Sequence, residues 1–300
     1  MSALPPTSTR SGFVAIAGRP NVGKSTLVNA MVGRKIAIVS DKPQTTRRAI
    51  RGVATHGDTQ LVLVDLPGVQ RPRDTLTERM QHRVEQELRD SDAVLMVVNA
   101  VDGIGPGDRF IAAALRGAKL PVVLAVNKID RADRAKTVAA LDGAAALEIA
   151  DEIFPISAQT GEGVVALLEH LRALAPEGPF HFSPEESSDQ SEHVLLAELV
   201  REQVLRRTRQ EVPHAVEVVV DDIEQQREDL VRVRALMWVE TESQKGILIG
   251  AGGKMIKAIG TKARKELERE MGTHVHLDLS VRVRRGWRGD DRLLDRLGID

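Results

Sequence analysis

The chain has 300 residues, 42% hydrophobic and 28% charged, with a formal net charge of −1. That is long enough for two hydrophobic cores and ordinary for a globular protein. No apolar run approaches the roughly 20 residues that span a bilayer, and the complete lack of Cys excludes disulfides and thiolate metal sites. Five Phe, two Trp and no Tyr are too few rings for an RNA surface built on aromatic stacking platforms.

In chain order, residues 1–11 are polar and Pro-containing and lack the apolar stretch of a signal peptide. This predicts a flexible N-terminus and a cytoplasmic protein. A buried strand at 13–17 (FVAIA) precedes a Gly-rich turn and a helix from Lys24. Continuous apolar runs at 61–65 (LVLVD), 93–99 (AVLMVVN) and 121–127 (PVVLAVN) read as central strands covered on both faces. Helical segments fall at 76–89, 109–115, 138–150 and 164–174. The alternation predicts a doubly wound, mostly parallel α/β sheet over residues 12–177. Composition then shifts to Pro, Ser and acid (APEGPFHFSPEESSDQ, 175–190), so a linker is expected over 178–192. After it come a helix at 191–209, strands at 215–220 and 229–240, a short helix at 243–249, a longer one at 254–271 and a strand at 275–283. This α-β-β-α-α-β order predicts a smaller α+β domain over 193–286, with 287–300 as a tail.

The first Gly-rich turn reads Gly18-Arg19-Pro20-Asn21-Val22-Gly23-Lys24-Ser25, followed by Thr26. It has GxxxxGK[ST] spacing between a strand and a helix, the context a phosphate-binding loop requires. Backbone N–H groups wrap the phosphates and the helix N-terminus adds positive potential. Lys24 can reach the β- and γ-phosphates, and the Ser25 hydroxyl can ligate Mg²⁺. Asp65-Leu66-Pro67-Gly68 closes the second apolar strand: Asp65 would hold Mg²⁺ through water and the Gly68 N–H would face the γ-phosphate. Asn127-Lys128-Ile129-Asp130 closes the fourth. The Asp130 carboxylate matches the N1–H and N2–H₂ pair of guanine, which adenine lacks. Asn127 would brace loops, the Lys128 stem would cover the base, and Ser157-Ala158 would place the Ala158 N–H on guanine O6. Within Lys42-Pro43-Gln44-Thr45-Thr46-Arg47, Thr46 is chosen over Thr45 to complete the Mg²⁺ and γ-phosphate contacts.

The second Gly-rich turn, Gly250-Ala251-Gly252-Gly253, lies between two helices and matches the GxxG loop of a KH domain, which clamps a nucleic-acid backbone. The surrounding element order is the type II KH order. Lys254 opens the next helix; Ile256, Ile259, Ala263, Leu267 and Met271 form its buried stripe, with Lys257 outside it. Residues 243–288 hold eleven basic and four acidic side chains, a local excess of seven positive charges that suits a polyanion. Arg284 and Arg285 join this set. Trp287 is read as the anchor of a terminal strand in preference to a base-stacking ring.

In the order GRPNVGKS, PQTTR, DLPG and NKID, and with the KH-like third included, the whole chain resembles the Era family of GTPases. The resemblance implies GTP/GDP and Mg²⁺ as ligands, binding near the 3′ end of 16S ribosomal RNA, a role in 30S subunit assembly, and a monomer. Val69 stands where Ras-like enzymes carry the water-orienting Gln. The resemblance therefore points to Asn21 as ligand of a K⁺ ion in the position of an arginine finger. Arg47, Arg71 and Arg73 lie in the segments where a finger would be sought. Asn21, Lys24, Thr46 and Gly68 are accordingly the catalytic set. Two alternatives stay open: a nucleotide-binding RNA chaperone with little turnover, and a membrane-surface GTPase whose basic patch meets anionic lipid on the cytoplasmic side of the cell membrane.

Overall fold

The computed structural model describes residues 8–42, 44–69, 72–117 and 120–299. Arg71 lies outside them. The first domain runs β1 (Arg10–Ala17), α1 (Lys24–Val32), β2 (Ile50–His56), β3 (Thr59–Asp65), α2 (Thr75–Asp90), β4 (Ala93–Asn99), α3 (Pro106–Leu115), β5 (Val122–Asn127), α4 (Arg134–Ala145), β6 (Glu152–Pro155) and α5 (Val164–Leu174). Its sheet has the order β2-β3-β1-β4-β5-β6, parallel except for β2. Along β1, Val14 and Ile16 face a core with Leu27, Val28, Leu167 and Leu171. Ala15 and Ala17 face the opposite core with Val84, Ile111 and Ala112. Burial on both faces is why these strands read as continuous apolar runs. The loops carrying Gly18–Ser25, Asp65–Gly68 and Asn127–Asp130 leave the C-terminal ends of parallel strands, where an open α/β sheet binds ligands, and the Thr46 segment enters the antiparallel β2.

Three expectations are corrected and one strand is added. The flexible N-terminus does not extend to residue 11, because Arg10 and Ser11 already belong to β1 and pair with Thr59 and Gln60. The edge strand β2 went unpredicted because IRGVATH carries an Arg and a central Gly. Gly52 is required by packing: a Cβ there would lie 2.9 Å from both Val28 and Val32 of α1. The expected linker at 178–192 is instead an ordered strap along the open side of β2. Gln60 Oε1 accepts the His181 and Phe182 N–H groups at 2.9 and 3.0 Å, and the Val53 N–H donates to Ser187 O at 2.9 Å. The strap thereby satisfies an edge that would otherwise invite another strand. Finally, the segment expected as a tail holds α10 (Asp291–Leu297), whose Leu293, Leu294 and Leu297 pack back on the molecule.

The second domain runs α6 (Glu192–Arg207), α7 (Val212–Ala215), β7 (Glu217–Arg227), β8 (Leu230–Val239), α8 (Glu242–Ile249), α9 (Lys254–Met271) and β9 (His274–Val283) before α10. Its three-stranded sheet, β7-β8-β9, is antiparallel then parallel. One face buries Val231, Val233, Ala235, Met237 and Val239 against α6 and α9. The other face gives Leu236 and Trp238 to a separate core shared with Leu76 and Met80 of α2, Trp287, and Leu293, Leu294 and Leu297 of α10. Trp287 is fully buried there and its Nε1–H donates to Ala215 O at 3.0 Å, an anchor as expected.

The two domains meet over the segment that precedes β2. Ile38 is buried in the core of the second domain. Arg47 is fully buried and forms an ion pair with Glu217 at 2.6 Å, and it also donates to Val216 O and His214 O. Arg48 reaches Glu198 at 2.9 Å and Glu217 at 3.2 Å, and Arg201 bonds both Glu198 and Thr45 O. Arg47 is therefore no candidate finger: its guanidinium faces away from the nucleotide loop into the domain interface. A second tether joins α2 to α10, with Arg79 on Asp291 at 3.0 Å and Asp295 at 2.6 Å.

Candidate nucleotide site and nucleic-acid surface

Four of the sequence motifs converge on one cavity of about 410 Å³, whose lining includes Gly23, Lys24, Ser25, Thr46, Gly68 and Asp130. Pro20, Asn21, Thr26, Asn127, Lys128 and Ala158 line it too. Gly18, Arg19 and Val22 complete the loop behind it. The Arg19 side chain turns away to the buried Asp108 at 2.8 Å and ties the loop to the start of α3. Lys24 is buried, and its Nζ donates to Gly18 O and Arg19 O, both at 3.1 Å. Burial draws its ammonium down to about 8, against the pull of Asp65. A polyphosphate in the cavity would supply the missing counter-charge.

Oxygen ligands gather beside it. Ser25 Oγ donates to Asp65 Oδ2 at 2.6 Å, Thr46 Oγ1 donates to the same oxygen at 3.3 Å, and the two hydroxyls are 3.1 Å apart. Thr45 is turned elsewhere, its hydroxyl donating to Lys42 O. Asp65 is fully buried with Oδ1 unpartnered. Burial raises its pKa, and Lys24 and the two hydroxyls oppose the rise. A buried carboxylate with an orphan oxygen and two hydroxyls fits a hard, hexacoordinate cation completed by phosphate and water. Among the described residues no trio of His, Cys, Asp or Glu offers another metal site. Leu66 and Pro67 are buried behind this carboxylate.

At the opposite end, Ser157 Oγ donates to Asp130 Oδ1 at 2.7 Å and fixes the carboxylate. Asn127 braces two loops, its Nδ2 donating to Val22 O at 2.8 Å and its Oδ1 accepting the Ala158 N–H at 2.9 Å. That last bond differs from expectation: the Ala158 amide is directed at Asn127, not presented alone to a base, because Asn127 bridges both turns. Lys128 has a left-handed backbone and its Nζ donates to Asn21 O, which lays its stem along the cavity. Asn21 donates Nδ2–H to Asp41 O at 2.7 Å, which leaves its Oδ1 available.

Gly68 is held close to the phosphate loop. A Cβ on it would lie 2.8–2.9 Å from the Pro20 backbone, which has no freedom to yield. Gly68→Ala is therefore expected to displace the loop and slow GTP hydrolysis about a hundredfold, the scale of an ångström misplacement at a reacting centre. GDP affinity, which does not need the Gly68 N–H, should stay within about threefold. Single-turnover hydrolysis beside GDP titration checks both.

The second surface is built on the α8–α9 turn. Gly250, Gly252 and Gly253 all have positive φ, at 71°, 58° and 76°. A Cβ at Gly250 would meet Met255 Cβ at 2.7 Å, while Gly252 and Gly253 open onto free space. Ala251, Lys254 and Lys257 are exposed around the turn. Among the acids of α9, Glu270 pairs with Arg34 at 3.0 Å, while Glu266 and Glu268 also pair within the helix, with Arg269 at 2.9 Å and Arg264 at 3.9 Å. The exposed Lys254, Lys257, Lys262 and Lys265 form no ion pair among the described residues, so their charges are open to a polyanion. Arg284 and Arg285 are both exposed, and Arg284 is stacked 4.7 Å over the Trp238 ring. Sequence reasoning missed Arg206, a residue of α6 that lines the nucleotide cavity from the second domain. Nothing local marks it.

Comparison with known proteins places both halves. Residues 13–128 match the family described as 50S ribosome-binding GTPase, and residues 211–288 match the KH domain. The chain is 45% identical to GTPase Era of Mycobacterium tuberculosis H37Rv over 299 residues, covering 98% of this chain and 100% of that one. It is 45% identical to GTPase Era of Lactobacillus helveticus over 291 residues, covering 97% and 96%. A crystal structure of Era in complex with MgGDPNP and nucleotides 1506–1542 of 16S ribosomal RNA superposes with TM-score 0.92 at 33% identity, over 97% of this chain and 99% of that one. An Aquifex aeolicus Era variant bound to GDP·AlF4⁻ gives the same TM-score, identity and coverage. With a GTPase domain and a KH domain joined in the same order and matched end to end, the chain belongs to the Era family of GTPases.

Proposed function

We propose that this GTPase is a nucleotide-driven switch that binds the 3′ region of 16S ribosomal RNA through its KH domain and acts in assembly of the 30S subunit. The observation that carries the reading is the attachment of the nucleotide-sensing segment to the KH domain. Thr46, beside Asp65 and Ser25, is followed immediately by Arg47, whose guanidinium is buried against Glu217 of the KH sheet. A γ-phosphate that draws Thr46 toward a cation must therefore pull on the domain interface. GTP would reorder residues 35–48 and those after Gly68, and so time RNA release. Ser25, Thr46 and Asp65 would hold Mg²⁺, which supplies charge neutralisation at the phosphates when bound. The roles assigned to Lys24, Gly68, Asn127, Lys128, Asp130 and the GxxG loop belong to the same proposal.

The test pairs two measurements. Multiple-turnover GTP hydrolysis should respond to an RNA carrying the 3′ end of 16S ribosomal RNA, and crosslinking to cellular RNA should enrich that region. Crosslinking without ribosomal RNA enrichment would overturn the biological assignment. Turnover indifferent to RNA would favour a passive chaperone. Among the described residues no helix is long and apolar enough to cross a membrane. A cytoplasmic site of action follows from the ribosomal partner, and association with the membrane would be peripheral. The lipid reading rests on charge alone, which RNA satisfies equally and the GxxG turn does not require. Sedimentation with anionic vesicles at physiological salt, with RNA as competitor, separates the two.

With Val69 unable to orient water, Asn21 Oδ1 is the group proposed to hold K⁺ near the phosphates, where a cation offsets developing charge. Hydrolysis is expected to run about tenfold or more faster in K⁺ than in Na⁺ at equal ionic strength, the scale of a modest electrostatic contribution. Asn21→Ala should abolish the difference. Equal rates in the two salts would sink the K⁺ role.

A further inference from the structure

We propose that Arg206 of the KH domain is a binding residue for the nucleotide held in the GTPase domain, directed at its phosphates. The inference rests on reading the cavity as the nucleotide site. Arg206 lies in the last turn of α6, and its side chain lines that cavity beside Val39 and Lys42. The wall it shares abuts the phosphate loop, because Asp41 O is held by Asn21 Nδ2 at 2.7 Å.

Its placement is built. Glu202, one turn earlier on α6 and fully buried, accepts from Arg206 Nη2 at 3.1 Å, from Lys35 Nζ at 2.6 Å and from the Val39 N–H at 3.0 Å. One carboxylate thus fixes both the backbone of the segment leading to Thr46 and the guanidinium that faces the cavity. The Arg206 side chain is 49% exposed, and its bond to Glu202 uses one nitrogen of the fork, so donors remain. A guanidinium is the group best shaped to pair with phosphate oxygens. Of the GTPase-domain guanidinium groups described near the cavity, Arg19 is spent on Asp108 and Arg47 on Glu217, and Arg131 lies at the base end beside Asp130 at 3.8 Å.

The consequence is a direct electrostatic link between the domains. A nucleotide that binds Arg206 favours the docked arrangement. By linkage, an RNA that favours undocking must weaken the nucleotide by the same factor.

Fluorescent-analogue displacement on the full-length wild type, Arg206→Met and Arg206→Lys, with GDP, GTP and guanosine as competitors, tests the assignment. Arg206→Met is expected to weaken GDP and GTP by about tenfold, the scale of one charge-assisted contact. Arg206→Lys, which keeps the charge but not the fork, should recover only part of the loss, and guanosine, which has no phosphate, should bind all three proteins alike. Glu202 keeps Lys35 and Val39 in the variant, so thermal midpoints should agree within about 2 °C, as for other exposed substitutions. GDP affinity of Arg206→Met within about twofold of wild type, or a loss for guanosine equal to that for GDP, would overturn the proposal. A wild type that binds none of the three would instead overturn the reading of the cavity.

Discussion

Replacing Asp130 with Asn is expected to weaken GDP and GTP by about 10⁴-fold and to turn the site toward xanthine nucleotides. The carboxylate is oriented by Ser157 Oγ–H on Oδ1, at 2.7 Å, and it retains acceptor capacity on both oxygens for a pair of donors. Guanine presents that pair at N1–H and N2–H₂. An amide in place of the carboxylate sets an NH₂ donor against the amino group of guanine, so a bond is lost and two donors face each other away from water. Xanthine carries a carbonyl at the same carbon and accepts from the amide. Asp130 is itself exposed, so the exclusion of water behind this asymmetry would come from the bound base lying against it. Competition of GDP and XDP for the wild type and Asp130→Asn measures the exchange. GDP affinity within about tenfold of wild type would show that Asp130 does not read the base. Ser157→Ala, which leaves the carboxylate in place but removes its brace, should cost only about tenfold.

Much of this site is legible in the sequence because each of its parts is local. A strand of continuous apolar residues, a tight turn and a helix start fix where Lys24 and Ser25 sit, and Asp65 and Asn127 each close a strand of the same sheet. The GxxG turn is equally local. What sequence reasoning lost is set by partners some 150 residues away. In α6, the run Glu198, Arg201, Glu202 reads as the charged face of a solvated helix with i,i+3 and i,i+4 pairs. Every residue from Leu196 to Leu205 is in fact buried, because the segment preceding β2 lies across that face. Arg47 misled in the same way, as a cation in a segment expected to move. Gly52 and the strap at 178–192 were lost for the converse reason: breaker residues in sequence become strand and edge cover once α1 and β2 press together.

The domain interface makes the second large prediction, since its centre is a buried ion pair. Removing Arg47 leaves the buried Glu217 with Arg48, at 3.2 Å, as its remaining paired cation, so Arg47→Ala is expected to cost about 3 kcal/mol, the low end for breaking a buried pair. Burial alone would push the Glu217 carboxyl up, but the guanidinium groups of Arg48, Arg47 and Arg201 outweigh it and hold the pKa at about 2, below the ordinary 4.5. Burial draws Arg47 down to about 10, yet it remains protonated at every pH below that, so Glu217 always faces a cation in acid. A carboxyl with a depressed native pKa binds fewer protons folded than unfolded. Its stabilisation, on the order of 3 kcal/mol, is therefore whole above pH about 4.5 and is lost as pH falls toward about 2. The thermal midpoint of the wild type should fall across that window, and Arg47→Ala should begin about 5–10 °C lower at neutral pH and show a shallower acid slope. Arg47→Met with Glu217→Gln removes both charges together and should recover part of the loss, because the buried carboxylate is no longer short of a cation and Arg48 keeps Glu198 at 2.9 Å. If the double variant is as unstable as Arg47→Ala alone, the interface is held by packing around Trp287 and Ile38, and the ion pair is not what joins the nucleotide-sensing segment to the KH domain.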